Sequence, residues 1–295
     1  MTHDDMPAAV LSGTHFLQIP ATVLGEKGLL YLAEPPDADT PSLIRQLRDG
    51  VYPRPFVLDD GRLRKLHFSL ALVQSEMRVD EPYALQSAYT REMMGFLMFV
   101  PRPRHVVQIG LGGGSLAKFC HRQLARSRIT VVEIDPGVIA FRELFEVPPD
   151  DERFQVVRAD AVEWFATTEE RADVVLLDGY DEHGIVPAFC DESFYVRLRA
   201  QLRTGGLLVC NLALRDEEGS AHLELLREVF SGRVIVQEVP ADGNRIAFAF
   251  NDPPFPPDVA AMNREARLAS QRTGIDFEAS ARRIEKRLPR QKRRR

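Results

Sequence analysis

The chain has 295 residues, 44% of them hydrophobic and 27% charged, with 38 basic and 43 acidic side chains and a formal net charge of −5. That composition excludes a disordered chain, a collagen-like fibre and a disulfide miniprotein. The longest apolar stretch, near Met93–Val100, falls far short of the roughly 20 residues a membrane span needs.

The first ten residues, MTHDDMPAAV, carry acids where a secretory leader carries basic residues, so a cytoplasmic protein is expected. Residues 1–60 read as irregular, with prolines at 35, 36, 41, 53 and 55. Phe56–Met77 reads as short strands about Asp60-Gly61, a hairpin signal. Leu85, Tyr89, Met93, Phe96 and Leu97 stand at helical spacing and predict a helix within Pro82–Val100, ended by Pro101. From His105 onward short apolar runs alternate with helical patterns. Strands are predicted at His105–Ile109, Ile129–Ile134, Phe154–Arg158, Ala172–Leu177 and Leu207–Asn211. Helices are predicted over Leu116–Ala125, Pro136–Phe145, Ala161–Ala166, Asp191–Leu202 and Ala221–Phe230. Arg233–Val239 and Arg245–Phe250, joined by Ala241-Asp242-Gly243-Asn244, read as an antiparallel hairpin. Such alternation builds a parallel sheet covered on both faces, which binds ligands beyond the carboxyl ends of its strands.

The residues at those ends are therefore the candidates. After the first strand stands Gly110-Leu111-Gly112-Gly113-Gly114-Ser115, where Gly110, Gly112 and Gly114 let backbone N–H groups approach a ligand at a helix N-terminus. Glu133 ends the second strand, 23 residues beyond Gly110, placed to accept from two ribose hydroxyls. Asp160 ends the third strand, where a carboxylate accepts from an exocyclic adenine amine. Asp178 and Asp181 follow the fourth, a carboxylate pair suited to binding a cation or removing a proton. Together these ends describe a nucleoside site with acids beyond it, and the absence of a Walker loop favours a nucleoside over a triphosphate.

Three cysteines, Cys120, Cys190 and Cys210, with no C-x-x-C spacing, read as reduced thiols, two of them buried, and no metal site is expected. Arg282–Arg295 holds nine basic groups and one acid, leaving a body of net charge −13 that suits a cationic substrate. The basic end reads as a solvated, flexible tail, with neither nucleic acid nor membrane expected as partner. His183 reads as an exposed loop histidine, Trp164 as packing, and Arg91 as an exposed helical arginine.

The blocks VVQIGLGGGSLAKF, ITVVEIDPGVIAFRELF, VVRADAVEWF, ADVVLLDGYD and FYVRLRAQLRTGGLLVCNL resemble the spermidine synthase (polyamine aminopropyltransferase) family, in a divergent bacterial branch. LALVQSEM and DEPYALQSAYTREMM upstream extend the likeness, which covers about Leu66–Asn251. The resemblance implies an α/β fold with a Rossmann-like class I methyltransferase-type sheet and a small N-terminal β-domain. It divides the chain into an irregular segment 1–60, a β-domain with linking helix 61–100, a nucleoside-binding catalytic domain 101–252 and a basic, flexible tail 253–295. It implies an aminopropyl group moving from decarboxylated S-adenosylmethionine to a small-molecule amine, without metal, in a homodimer. By position, Gln74 would touch the donor, Glu133 its ribose, and Asp160 and Ala161 the adenine edge. Asp178 would accept the proton, Asp181 would help hold the amine, and Tyr89 would lie on the acceptor side.

Three departures bear on that expectation. Gly113 stands where the family carries an aspartate, Tyr89-Thr90 stands where it carries Tyr-His, and PADGNRIAFAF lacks the aromatics that wall the polyamine. A methyltransferase using intact S-adenosylmethionine on a small molecule is the alternative that Gly113 favours. A nucleoside-binding protein without turnover is a second, and retention of Asp178 and Asp181 counts against it.

Overall fold

A computed structural model describes residues 16–181, 184–213, 217–252 and 254–288. Short apolar segments near the N-terminus pair into a five-stranded antiparallel sheet: β1 (Leu17–Pro20), β2 (Leu29–Leu32), β3 (Phe56–Asp59), β4 (Leu63–Ser69) and β5 (Leu72–Arg78), side by side in chain order. Helix α1 (Thr40–Arg48) joins β2 to β3, with the Asp39 carboxylate accepting from the Ser42 N–H at its start. Leu43 and Leu47 of α1 pack with Ile19, Leu30, Leu32 and Phe56. The expectation that residues 1–60 are irregular is thus corrected from Leu17 onward. β1, β2 and β3 are four residues each, too short for alternation to stand out, and α1 with its flanking loops separates β2 from its β3 partner. The first fifteen residues lie outside the described residues. The expected turn at Asp60-Gly61 is present, with the Asp60 carboxylate accepting from the Arg62 and Leu63 N–H groups at 2.8 Å.

The linking segment forms helix α2 (Ala88–Met93) and a 3₁₀ turn over Met94–Met98, every residue of which is buried. The second sheet follows: β6 (His105–Ile109), β7 (Arg128–Glu133), β8 (Phe154–Arg158), β9 (Ala172–Leu177), β12 (Leu202–Ala213), β13 (Val234–Val239) and β14 (Asn244–Phe250). Between β9 and β12, Tyr180–Asp181 (β10) and Gly184–Ile185 (β11) form a small antiparallel pair. The spatial order is β13-β14-β12-β9-β6-β7-β8. β6 to β9 and β12 run parallel, while β14 and β13 pair antiparallel as the expected hairpin. Helices α3 (Ser115–Gln123), α4 (Pro136–Ala140), α5 (Ala161–Thr167), α6 (Glu192–Ala200) and α7 (Glu217–Val229) connect the strands. α4 stops five residues before its predicted end, and Glu146, at φ 55°, turns the chain back.

Successive residues of β6 divide between two cores: Val106 joins the layer with the linking segment, and Val107 and Ile109 join the layer with α5 and α6. The chain leaves β6 toward β7 on one side and returns through β9 on the other. That reversal opens a crevice at the carboxyl ends of β6 and β9, where a doubly wound sheet binds its ligand.

The segment after residue 252, expected to be a flexible tail, carries helices α8 (Val259–Thr273) and α9 (Phe277–Arg287) packed on the 3₁₀ turn and β13. Met262, Ala266 and Ala269 of α8 and Phe277, Ala281 and Ile284 of α9 are buried. Each trio recurs at three- and four-residue steps, the stripe of an amphipathic helix, which the basic residues between them obscured. Residues 289–295 lie outside the described residues. Cys120 and Cys210 are buried and Cys190 is exposed. Among the described residues no helix is long and apolar enough to cross a membrane.

Candidate active site

A cavity of about 750 Å³ occupies the crevice, walled by the strand ends of the second sheet and by Phe68, Gln74 and Ser75 of the first. Gln74, Tyr89, Gly110, Gly112, Glu133, Asp160, Ala161 and Asp178, all singled out in the sequence, line it together. Gly114 does not. It starts α3 at φ +71°, and a Cβ there would lie 2.4 Å from a Val147 methyl, so it shapes the loop from behind. Asp181 sits in β10, but its side chain lies outside the described part of the structure, as does all of His183. Trp164 packs edge-on against Phe165, with ring centroids 4.8 Å apart, and does not reach the cavity. Arg91, expected to be exposed, donates to the Leu85 and Gln86 carbonyls at 2.7 and 2.6 Å and ties down the loop before α2.

The glycine loop is held to the neighbouring strand ends by hydrogen bonds. Gly110 has φ +85°, and a Cβ there would fall 2.4 Å from the Asp178 carbonyl oxygen. A side chain at residue 110 would push the β9 loop away, so this glycine sets where Asp178 stands. Glu133 is 8% exposed. Its Oε2 accepts from the Leu111 N–H at 2.7 Å and its Oε1 from the Asp135 N–H at 2.8 Å. Burial pushes its carboxyl above the ordinary range, against the pull of those N–H donors. Asp160 caps α5, with Oδ1 accepting from the Val162 N–H at 2.7 Å. Ile134 is 48% exposed and faces the cavity, an apolar surface beside these polar groups.

Asp178 stands at the other end. Its Oδ1 accepts from Asn211 Nδ2 at 2.8 Å and its Oδ2 from the Tyr89 hydroxyl at 3.3 Å. Burial pushes its carboxyl up, and the two donors pull it down. Glu133, Asp135, Asp160, Asp178 and Asp242 all line the cavity, whereas Arg54 is the one basic side chain among the described lining residues. Arg54 is paired with Glu34 at 2.6 Å. The cavity is therefore an acidic concavity, which attracts and concentrates cations. Among the described residues, no group of three His, Cys, Asp or Glu side chains is placed to hold a metal ion.

Ser75, Asn211, Asp242 and Asn244 are among the lining residues that the sequence reading did not single out. Asn211 ends a predicted strand, like Glu133 and Asp160, and that position was a usable signal. Asn244 had none, because its place depends on the β12–β14 register, which sets Ala213 opposite Asn244. Gly113 is closed in by its neighbours: a Cβ there would meet Ser75 Oγ at 2.7 Å and the Phe145 ring at 2.9 Å.

Comparison with known proteins bears on this geometry. Residues 86–233 match the family model described as the spermine/spermidine synthase domain. A polyamine aminopropyltransferase of Neisseria meningitidis is 36% identical over 236 residues, which cover 79% of this chain and 89% of that protein. A probable spermidine synthase from Corynebacterium glutamicum superposes with TM-score 0.61 at 21% identity, covering 74% of this chain and 85% of the other. A spermidine synthase solved with the transition-state analogue AdoDATO superposes with TM-score 0.60 at 15% identity, over 93% and 92% of the two chains. The structural likenesses establish the Rossmann-like fold of class I methyltransferase type, and the sequence match establishes kinship. The chain belongs to the spermine/spermidine synthase family.

Proposed function

We propose that this protein transfers the aminopropyl group of decarboxylated S-adenosylmethionine to an aliphatic amine, with Asp178 accepting the proton. The observation that carries the reading is the Asp178 carboxylate, held by Asn211 and Tyr89 in the same acid-lined cavity as Glu133 and Asp160. The kinship with polyamine aminopropyltransferases supports it.

The amine nitrogen attacks the methylene carbon beside the sulfonium. A carbon–nitrogen bond forms and the carbon–sulfur bond breaks, its electron pair leaving on sulfur as a neutral thioether. An aliphatic ammonium has a pKa of about 10.4, so the acceptor reaches the site protonated and must lose a proton to expose its lone pair. A carboxylate raised by burial is a stronger base than one in water, which suits Asp178 to that transfer. Asp181 stands three residues on in the same loop and is assigned to holding the amine.

Glu133 accepts from the ribose hydroxyls with the lone pairs that its two backbone donors leave over. Asp160 uses Oδ1 for the α5 cap and offers Oδ2 to the adenine amine, beside Ala161 and against Ile134. Gln74, from the first sheet, closes over the nucleoside. Gly110 and Gly112 bring the loop backbone to the donor, while Tyr89 borders the acceptor.

Gly113 leaves the donor tail without the family's aspartate, and Ser75 and Phe145 fill the space beside it. Selection for a donor lacking its carboxylate then falls to the remaining acids of the cavity. Calorimetric titration with S-adenosylmethionine and with its decarboxylated form tests this. Tighter binding of the decarboxylated donor is expected, and tighter binding of the intact donor would contradict the reading.

A further inference from the structure

Two successive peptides at the end of β6 are gripped from both sides. In the first, the Ile109 carbonyl accepts from the Asp178 N–H at 3.1 Å and the Gly110 N–H donates to the Val132 carbonyl at 2.9 Å. Both partners are backbone groups of the neighbouring strands or their ends. In the second, Gln108 Nε2 donates to the Gly110 carbonyl at 2.6 Å, and the Leu111 N–H donates to Glu133 Oε2 at 2.7 Å. A trans peptide points its C=O and its N–H in opposite directions. One peptide unit is therefore held between two side chains, Gln108 on its oxygen and Glu133 on its N–H.

The sense of this arrangement is fixed by groups that have only one role. The Gly110 oxygen can only accept, so Gln108 turns its NH₂ to it. The Leu111 N–H can only donate, and it meets one carboxylate oxygen while the Asp135 N–H meets the other. A reversed peptide would set the Gly110 oxygen against that carboxylate. Gln108 is 2% exposed and lines the cavity, and among the described residues its Oε1 has no hydrogen-bond partner. A buried amide satisfied at one end only costs stability, which an apolar side chain at residue 108 would avoid. Val106, Val107 and Ile109 beside it in β6 are all apolar and buried. What the amide supplies is its bond to the Gly110 carbonyl.

We propose that Gln108 is a positioning residue for the donor's ribose: by holding the Gly110 carbonyl it keeps the Leu111 N–H on Glu133, and so keeps that carboxylate turned to the two ribose hydroxyls. This rests on the reading of Glu133 as the ribose acceptor. Gly110 stands at φ +85° and has no Cβ to stiffen the turn, so the peptide after it depends on its hydrogen bonds. Bonds at the two ends of one peptide also polarise each other, so Gln108 strengthens the Leu111 N–H as a donor. When Gln108 is lost, the Gly110 carbonyl is released into the cavity, the peptide tilts, and Glu133 loses the donor that fixes Oε2.

The test is nucleoside binding by the full chain, followed by NMR titration with adenosine and with 2′,3′-dideoxyadenosine, which lacks both hydroxyls. The wild type is expected to bind adenosine more tightly. Gln108→Met, of similar volume, is expected to weaken adenosine about threefold to tenfold, the size of one net hydrogen bond, and to leave dideoxyadenosine within about twofold. The Leu111 amide proton, followed in the ligand-free chain, is expected to move upfield as its bond to Glu133 lengthens. In a Glu133→Gln background, adding Gln108→Met is expected to change adenosine affinity by less than about twofold. Gln108→Leu serves should the methionine variant not fold. A glycine loop that was merely loosened would weaken both nucleosides alike. That result, or a Gln108→Met protein that still prefers adenosine as the wild type does, or an unmoved Leu111 proton, overturns the proposal. A wild type that binds the two nucleosides equally would instead sink the ribose reading of Glu133, and the role of Gln108 with it. Aminopropyl transfer does not enter any of these readouts, so its absence sinks the proposed function alone.

Discussion

Replacing Asp178 with asparagine separates chemistry from fold. The new amide keeps the shape of the carboxyl. Its oxygen still accepts from Asn211 Nδ2, and its NH₂ can donate to the Tyr89 hydroxyl oxygen, so both contacts survive with one reversed in sense. What is lost is the proton acceptor. A positioned general base contributes about 10²–10⁴-fold, or about 3–5 kcal/mol of barrier. Asp178→Asn is therefore expected to slow single-turnover aminopropyl transfer by at least about a hundredfold, while calorimetric donor affinity stays within a few fold. The stability effect has the opposite sign. Burial raises the Asp178 carboxyl above its unfolded value, so its favourable contribution is complete below the ordinary carboxylate range and is lost as pH rises through the raised value. Once the pH passes the raised value the wild type carries a buried anion that the variant lacks; below the ordinary carboxylate range it does not. The variant should thus gain more in melting temperature at pH 8 than at pH 4. Transfer within tenfold of wild type would remove Asp178 as the base, and an equal melting shift at both pH values would refute the argument from burial.

Other expectations follow from the same contacts. Glu133→Gln leaves one of the Leu111 and Asp135 N–H donors facing an NH₂ and is expected to weaken donor binding by about 1–3 kcal/mol; unchanged calorimetric affinity would refute the ribose assignment. Gly113→Asp, which restores the family residue, meets Ser75 Oγ and the Phe145 ring and should cost about 1–3 kcal/mol in denaturant unfolding, with Ser75→Gly recovering part of the loss. If the aspartate enters at no cost, the neighbours yield more easily than their spacing indicates. Phe277→Ala is expected to cost about 3–5 kcal/mol in the same assay, because its ring is 1% exposed in the main core cluster. A cost below 1 kcal/mol would return α9 to the status of a loose tail.

The part of the cavity lined by Gly110, Glu133, Asp160 and Asp178 was legible because each of these residues lies at or just beyond a strand end. Three strands, His105–Ile109, Phe154–Arg158 and Ala172–Leu177, coincide with their predicted bounds; the first and third are buried apolar runs, and the second is a half-exposed strand at the sheet's edge. Once those strands are parallel, Gly110, Glu133, Asp160 and Asp178 must share one edge of the sheet. The surroundings of Asp178 were less legible because they are assembled across elements. Asn211 and Asn244 meet through antiparallel pairing of β12 with β14, and Tyr89 reaches Asp178 from a helix 89 residues earlier in the chain. The ends of the chain were misread for two different reasons. β1 to β3 are too short for period-two alternation to register, whereas α8 and α9 carry clear stripes that net charge masked.

The central claim is the identity of the group transferred, and a competition with two labels tests it most directly. The protein is given a diamine with decarboxylated S-adenosylmethionine labelled in the aminopropyl chain and intact S-adenosylmethionine labelled in the methyl group, and the amine product is read by mass spectrometry. The account predicts the aminopropyl label in the product, and its disappearance with Asp178→Asn. A product carrying the methyl label would contradict it.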